Sequence, residues 1–184
     1  MSEKEKMLKG EMYEPLKDEE LIKERTKVKN LCREYNKLDY TSEKRSELIK
    51  KILGKTGERI CVEPDFYCDY GYNIEVGENF YVNHNCVILD CAKVKFGDNV
   101  LIGPNCAFYT AEHPIDAEKR KAGFEYAKAI TVGNNVWIGG SVVVLKGVRI
   151  GDNAVIGAGS VVTKDIPANS IAVGNPCRVV KSII

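Results

Sequence analysis

The sequence predicts a mostly β fold, a parallel β-helix of short strands carrying a short helical N-terminal segment. Two observations predict the β-helix. Aliphatic and aromatic residues recur at six-residue intervals between Val76 and Val162, and Gly-Asp-Asn or Gly-Asn-Asn turn signals fall between them. A third observation, the helical spacing of apolar residues before about Ile60, sets the first segment apart.

The helical segment comes first. From Asp18 to Leu38, apolar residues at Leu21, Ile22, Val28, Leu31, Tyr35 and Leu38 follow a helical period, with charges on the other positions. Asp18 is placed to cap that helix, and Glu19 and Glu20 suit the positive end of its dipole. A second helix is expected over Ser42 to Leu53, with Ser42 as cap, Leu48, Ile49, Ile52 and Leu53 as the apolar face, and Gly54 as the stop. Two short helices bury little alone, so residues 1–57 are expected to dock as an appendage on residues 58–184.

The repeat follows. Val132, Ile138, Val144, Ile150, Ile156 and Val162 succeed one another without a slip, and Phe96, Ile102 and Phe108 hold the same phase upstream. Val76, Val82 and Ile88 precede them, offset by a two-residue slip between Ile88 and Phe96. Neither the 3.6-residue helix nor the two-residue strand alternation sustains period six. A solenoid does: each unit makes a short strand and a turn, three units close a coil, and the aliphatic residue points inward. Val132 is expected to stack on Ile150, and where glycine follows the aliphatic position, as at Gly133, Gly139, Gly151 and Gly157 but not at Leu145 or Thr163, it is expected to permit the tight corner. The ends of such a stack are unpaired strand edges, and the helical segment and the tail after Pro176 are expected to cover them as caps.

Composition excludes several functions. With 27 basic and 26 acidic residues the net charge is +1, which makes no case for nucleic acid. The N-terminus carries both charge signs without an apolar run, and no stretch is long enough to span a bilayer, so neither a signal peptide nor a membrane anchor is expected. Seven scattered cysteines without C-x-x-C spacing read as free thiols in a reducing, cytoplasmic setting.

Between Phe108 and Val132 the pattern lapses and then resumes in phase, so a loop excursion at about 109–131 must leave the coil and return to it. Long loops on rigid scaffolds usually carry function. This one holds His113, one of two histidines in the chain.

Several stretches together resemble the maltose and galactoside O-acetyltransferases. They are Glu3-Lys-Glu-Lys-Met-Leu-Lys-Gly-Glu-Met-Tyr, Cys68-Asp-Tyr-Gly-Tyr-Asn-Ile, Gly97-Asp-Asn, Thr110-Ala-Glu-His-Pro-Ile-Asp, Ile130-Thr-Val-Gly-Asn-Asn-Val-Trp-Ile-Gly-Gly, Val162-Thr-Lys-Asp-Ile-Pro and Gly174-Asn-Pro-Cys-Arg. The first and third look nearer the maltose type. The resemblance implies a left-handed β-helix, a homotrimer with active sites between subunits, and transfer of acetyl from acetyl-CoA to a sugar hydroxyl without a metal.

It also implies site residues. His113 matches the general base, a role suited to imidazole, whose ordinary pKa near 6.5 permits proton transfer at neutral pH. Asn83 matches an acceptor-binding position, and Asp69 and Asp90 fall in comparable segments. Gly139 and Ala158 match backbone contacts to pantetheine. Thr163, Lys164, Arg178 and Lys181 match the phosphate and adenine end of the coenzyme, where cations give charge-assisted hydrogen bonds. Glu112 is not assigned as the partner that orients His113. His84 is expected at a cleft wall or facing solvent, and Trp137 at a cleft wall or in packing. Cys91 stands where the galactoside type has an acid, which leaves acceptor preference open.

Two other readings differ in their demands. A zinc enzyme on this scaffold needs three histidines, and the chain has two. An acetyltransferase for serine or a xenobiotic would share the donor groove and the histidine, and differ only at the acceptor.

Overall fold

The computed structural model describes residues 1–183. Helices α1 (Glu3–Leu8), α2 (Glu19–Lys37) and α3 (Lys44–Ile52) precede the solenoid. The first coil comprises β1 (Ile60–Val62), β2 (Phe66–Cys68) and β3 (Ile74–Glu75), the second β4 (Phe80–Val82), β5 (Cys86–Leu89) and β6 (Val94–Phe96). In the third coil β7 (Leu101–Ile102) and β8 (Ala107–Tyr109) are followed by the excursion, with β9 (Ala111–Glu112), α4 (Ala117–Lys121) and β10 (Tyr126–Ala127), before β11 (Ile130–Val132) closes the coil. Then come β12 (Trp137–Ile138), β13 (Val143–Leu145) and β14 (Arg149–Ile150), and β15 (Val155–Ile156) and β16 (Val161–Val162). The chain ends in β17 (Ser170–Val173) and β18 (Arg178–Ser182), which folds back antiparallel on β17.

These strands stack as three parallel walls. The order is β1-β4-β7-β12-β15-β17-β18 in the first, β16-β13-β8-β5-β2 in the second and β14-β11-β6-β3 in the third. All the aliphatic positions of the six-residue phase, from Val76 to Val162, point into the space between the walls and are at most 3 % exposed. Val132 pairs with Ile150 as expected.

The coil length differs from the expected eighteen over much of the chain. An asparagine ladder along the edge joining the third wall to the first measures it: Asn79 donates to Asn99, Asn99 to Asn135, Asn135 to Asn153 and Asn153 to Asn169 (2.7–3.0 Å). The successive steps are 20, 36, 18 and 16 residues. The two-residue slip is thus a wider coil. Its extra residues sit at the edge between the second and third walls, in the turns from Cys68 to Ile74 and from Leu89 to Val94.

The ladder also corrects the role expected of glycine. In Gly-Asp-Asn and Gly-Asn-Asn turns the left-handed residue is the second of the pair after glycine: Asn99, Asn135 and Asn153 have φ of 56 to 60°. Asparagine tolerates this region, and its amide reaches the next rung. The glycine supplies room instead, since a Cβ on Gly133 would lie 2.2 Å from Asp152 Oδ1. That oxygen accepts from the backbone N–H of Asn134 (2.7 Å), as Asp98 Oδ1 does from Glu78 (2.8 Å).

At the base of the solenoid, α2 packs on β2 and α3 on β1. Asp18 caps α2 by accepting from Leu21 N (3.0 Å). Ser42 does not cap α3, which starts at Lys44. Its N–H donates to Asp39 O (3.0 Å) in a turn that Asp39 organises by accepting from Thr41. The helix ends at Ile52 with Leu53 as its cap, just before Gly54 as expected, and Gly54 also permits close approach, since a Cβ there would lie 2.2 Å from Tyr72 O.

The outer surfaces of the walls are unlike. Tyr81, Leu101, Trp137, Val155 and Ile171 stand in register on the first wall, and Tyr67, Val87, Ala107, Val143 and Val161 on the second. The third wall shows Glu75, Lys95, Thr131 and Arg149. Two apolar outer walls therefore share one edge, and the third is polar. Among the described residues no helix is long and apolar enough to cross a membrane.

Candidate active site

The excursion leaves the solenoid at the same edge that carries the widened turns, and its neck is tied twice. Thr110, fully buried, donates through Oγ1 to Leu89 O (2.6 Å) and accepts from Ala92 N (3.0 Å). Lys128 N then donates to Thr110 O (3.0 Å), which closes the loop and returns the chain to register. Inside it, β9 and β10 pair antiparallel. The His-Pro turn is held by Arg120, whose Nη1 donates to the carbonyls of Pro114 (3.0 Å) and Ile115 (2.9 Å), and Asp116 caps α4.

His113 projects from this frame with its side chain 55 % exposed. Its Nδ1 lies 3.2 Å from Phe124 O, and a carbonyl oxygen only accepts, so Nδ1 carries the hydrogen. Nε2 is thereby left with its lone pair. Glu125 Oε1 lies 3.7 Å from Nε2. The neighbouring Glu112 is committed elsewhere, in an ion pair with Lys146 of the next turn along this edge.

Asp69 and Asp90 stack below the loop on the same edge and differ in kind. Asp69 is partly exposed and faces Lys29 of α2 at 3.8 Å. Asp90 is fully buried, and its Oδ1 accepts from the backbone N–H of Asp69 (3.0 Å) and Tyr70 (2.8 Å). It clamps the widened turn and offers a ligand no surface, which corrects the expectation of direct acceptor contact. Burial pushes its pKa up to about 6, against the pull of the Tyr70 N–H. Cys91 is also buried, packed with Met7, Tyr13, Leu21, Tyr70 and Ala127 where the N-terminal segment docks.

The remaining expected residues divide between two edges. Thr163 and Lys164 are exposed on the excursion's edge, further along the solenoid. Asn83, Gly139 and Ala158 lie on the edge between the first and second walls. Ala158 is exposed there, whereas Gly139 is buried beneath it, a Cβ on Gly139 falling 2.7 Å from Ala158 N. Arg178 and Lys181 are exposed on β18 of the first wall. His84 is exposed, with Nδ1 2.5 Å from Pro64 O, and Trp137 is 57 % exposed on the first wall rather than packed inside. One chain therefore does not bring Asn83 and Ala158 to the same edge as His113 and Lys164.

A family model described as the maltose acetyltransferase hexapeptide capping motif matches residues 6–57, and a bacterial transferase hexapeptide model of six repeats matches residues 129–164. The chain is 54 % identical to a maltose O-acetyltransferase from Clostridium difficile 630, with a TM-score of 0.98, covering 100 % of this chain and 98 % of that one. The chain belongs to the maltose and galactoside O-acetyltransferase family. A galactoside acetyltransferase solved with coenzyme A matches at 47 % identity and TM-score 0.96, covering 100 % of this chain and 92 % of that one. A hexapeptide-repeat acetyltransferase of Vibrio cholerae O1 biovar eltor, complexed with acetyl coenzyme A, matches at 39 % identity and TM-score 0.92, with both chains fully covered at 100 %.

In this acetyltransferase the groups around His113 that sequence reasoning missed are Phe124 O, Arg120, Glu125 and Tyr13. The first two act through or upon main-chain carbonyls in the excursion, which side-chain types do not announce. Glu125 and Tyr13 meet across 112 residues of sequence.

Proposed function

We propose that this acetyltransferase transfers acetyl from acetyl-CoA to a sugar hydroxyl, with His113 Nε2 as general base. The observation that carries the reading is the 3.2 Å approach of His113 Nδ1 to the Phe124 carbonyl. That carbonyl accepts the hydrogen of Nδ1 in the neutral ring and leaves the Nε2 lone pair to take a proton, on a side chain 55 % exposed. Nε2 takes the hydroxyl proton as the oxygen adds to the thioester carbonyl. The C–S bond then breaks, and the imidazolium returns the proton to the departing thiolate. Asp69 and Asn83 supply directional acceptors for sugar hydroxyls. Thr163, Lys164, Arg178 and Lys181 supply the donors and cations that the phosphates of the coenzyme require, and Ala158 an exposed backbone for its amides. Supporting this donor and acceptor are the related proteins, one a maltose O-acetyltransferase and two solved with coenzyme A or acetyl coenzyme A.

These groups meet only if the edge bearing Asn83 and Ala158 faces the excursion of a neighbouring subunit. A closed homotrimer does this. The first wall of each subunit turns toward the second wall of the next, burying both apolar outer columns and leaving the polar wall outside. Ile115, 89 % exposed beside His113, adds an apolar contact on the projecting loop.

The test is thiol release from acetyl-CoA with maltose, glucose, a galactoside, chitin oligosaccharides, serine and chloramphenicol as acceptors. Sugar-dependent release is expected, and His113→Ala should lower turnover by about 10²–10⁴-fold with donor affinity little changed. Near-normal turnover in that variant removes His113 as the base. Release with serine or chloramphenicol alone overturns the acceptor class.

A further inference from the structure

We propose that Tyr13, in the N-terminal appendage, is a positioning residue for the reaction, acting through Glu125 on His113. The inference rests on the reading of His113 as the base. It starts from a contact the fold could do without: a segment whose helices already cover the first coil also climbs the solenoid to reach the excursion. Tyr13 and Glu125 form an antiparallel bridge there, Tyr13 N donating to Glu125 O and Glu125 N to Tyr13 O, both at 2.9 Å. The Tyr13 hydroxyl then donates to Glu125 Oε2 at 3.0 Å. Three hydrogen bonds from one residue thus fix both the backbone and the carboxylate of Glu125.

What they fix is the orientation of the other oxygen. With Oε2 held by Tyr13, Oε1 is directed at His113 Nε2, 3.7 Å away. That nitrogen is the one left basic by the Phe124 carbonyl, so the positive charge created by proton uptake appears beside a carboxylate already in place. Such a contact favours the imidazolium of the transition state more than the neutral ring of the ground state. Glu125 keeps a side chain 20 % exposed, open toward the imidazole. Tyr13 is wholly buried among Met7, Leu21, Tyr70, Cys91 and Ala127, so its ring cannot turn its hydroxyl elsewhere without unpacking the dock. Burial also pushes its phenol far above the ordinary range, which keeps it a donor at every working pH.

The link reads from sequence to function in one line. Met7 and Leu21 dock the appendage, the dock orients Tyr13, Tyr13 orients Glu125, and Glu125 presents its carboxylate to Nε2 of His113. The appendage then completes the acid–base centre as well as covering the first coil.

The experiment uses the full-length protein with an acceptor sugar that supports turnover, measuring kcat, both KM values, coenzyme A affinity and thermal unfolding. Tyr13→Phe, which keeps the ring and removes the donor, should lower kcat about tenfold, the scale of one hydrogen bond to a charged group. KM values and coenzyme A affinity should stay within about twofold. Glu125→Gln should lower kcat at least as much, and the double variant no further than Glu125→Gln alone, because the two act as one unit. In a His113→Ala background neither change should cost more. Independent, multiplying losses would overturn the inference, as would an unchanged kcat in Glu125→Gln, a result that needs no change at Tyr13. If His113→Ala itself keeps its turnover, the reading of the base has failed. If His113→Ala collapses while Tyr13→Phe and Glu125→Gln keep wild-type kcat, only this inference has failed.

Discussion

Replacing Asp90 with Asn should change the way stability depends on pH. The carboxyl is fully buried, one oxygen accepts two backbone N–H groups, and the other is buried without a hydrogen-bond partner. Burial raises its pKa from 3.8 to about 6 in the folded chain. An unfolded Asp releases its proton near pH 4, so between about pH 4 and 6 the native state holds a proton that the unfolded state has lost. The contribution of this group to stability is therefore greatest below about pH 4 and declines as pH rises through 6. The gap corresponds to about 3 kcal/mol as an upper bound. Asn keeps the acceptor that clamps Asp69 and Tyr70 and carries no charge to bury. Its NH₂ replaces the unpartnered oxygen and brings a donor that also needs a partner, at a cost of about 1–3 kcal/mol. The decisive observable is consequently the slope and not the absolute value. Urea denaturation at fixed protein concentration, from pH 4.5 to 7.5, should show Asp90→Asn losing less stability than wild type across the window. A variant that parallels wild type at every pH would refute the raised pKa. One that loses more as pH rises would reverse the sign of the argument.

Other outcomes follow from single contacts. Asn135 stands at φ 56° and shares amide hydrogen bonds with Asn99 and Asn153, so Asn135→Ala should cost about 2–3 kcal/mol. Asn135→Gly, free of the backbone strain, should cost about 1 kcal/mol less, and equal losses by denaturant titration would show that the left-handed turn carries no strain. Lys164→Ala should weaken coenzyme A binding and raise the donor KM with kcat little changed; a change confined to the acceptor KM would misplace the donor groove. Leu101→Asp puts a charge on the outer column of the first wall, where Leu101 is 50 % exposed between Tyr81 and Trp137. It should break the proposed homotrimer in sedimentation without altering the far-ultraviolet spectrum, and an intact, active oligomer would count against that wall as an interface.

The repeat was legible because inward-facing positions must be apolar in every coil, and that demand prints a period on the sequence. The edges were legible only in part. Gly-Asp-Asn identifies a turn, yet the pattern does not show that the asparagine makes the corner while the glycine makes room. Asn135 bends the chain while Gly133 leaves room for Asp152 of the next coil. That room depends on the neighbouring rung, which no local pattern displays. Asp39, not Ser42, organises the turn before α3 because Thr41 offers it both a backbone and a side-chain donor. At the candidate site, the excursion that carries His113 was legible from a phase that lapses and resumes. Asp90 was not, since a buried clamp and a ligand-facing carboxylate use the same residue type. The tautomer of His113 depends on a main-chain carbonyl, and Glu125 on a tyrosine far away in sequence.

The position of the candidate site also has a structural reason. A solenoid whose inward residues are stacked in register tolerates extra residues only at its edges, where a turn can widen without moving the strands on either side. The edge between the second and third walls takes all of them: the widened turns around Asp69 and Asp90, and then the excursion with His113. Widening leaves polar backbone to satisfy, and here Asp90 satisfies Asp69 and Tyr70 while Thr110 satisfies Ala92 and Leu89. The same departures from ideal geometry give the N-terminal segment a surface to grip, through Tyr70, Cys91 and Ala127. An ideal coil would offer neither the loop nor the dock. On this view the irregular edge supplies the base and its support. In the proposed function the regular edge, with small residues such as Gly139 and Ala158, is the track for the extended donor, and a second copy of the chain brings the two edges together.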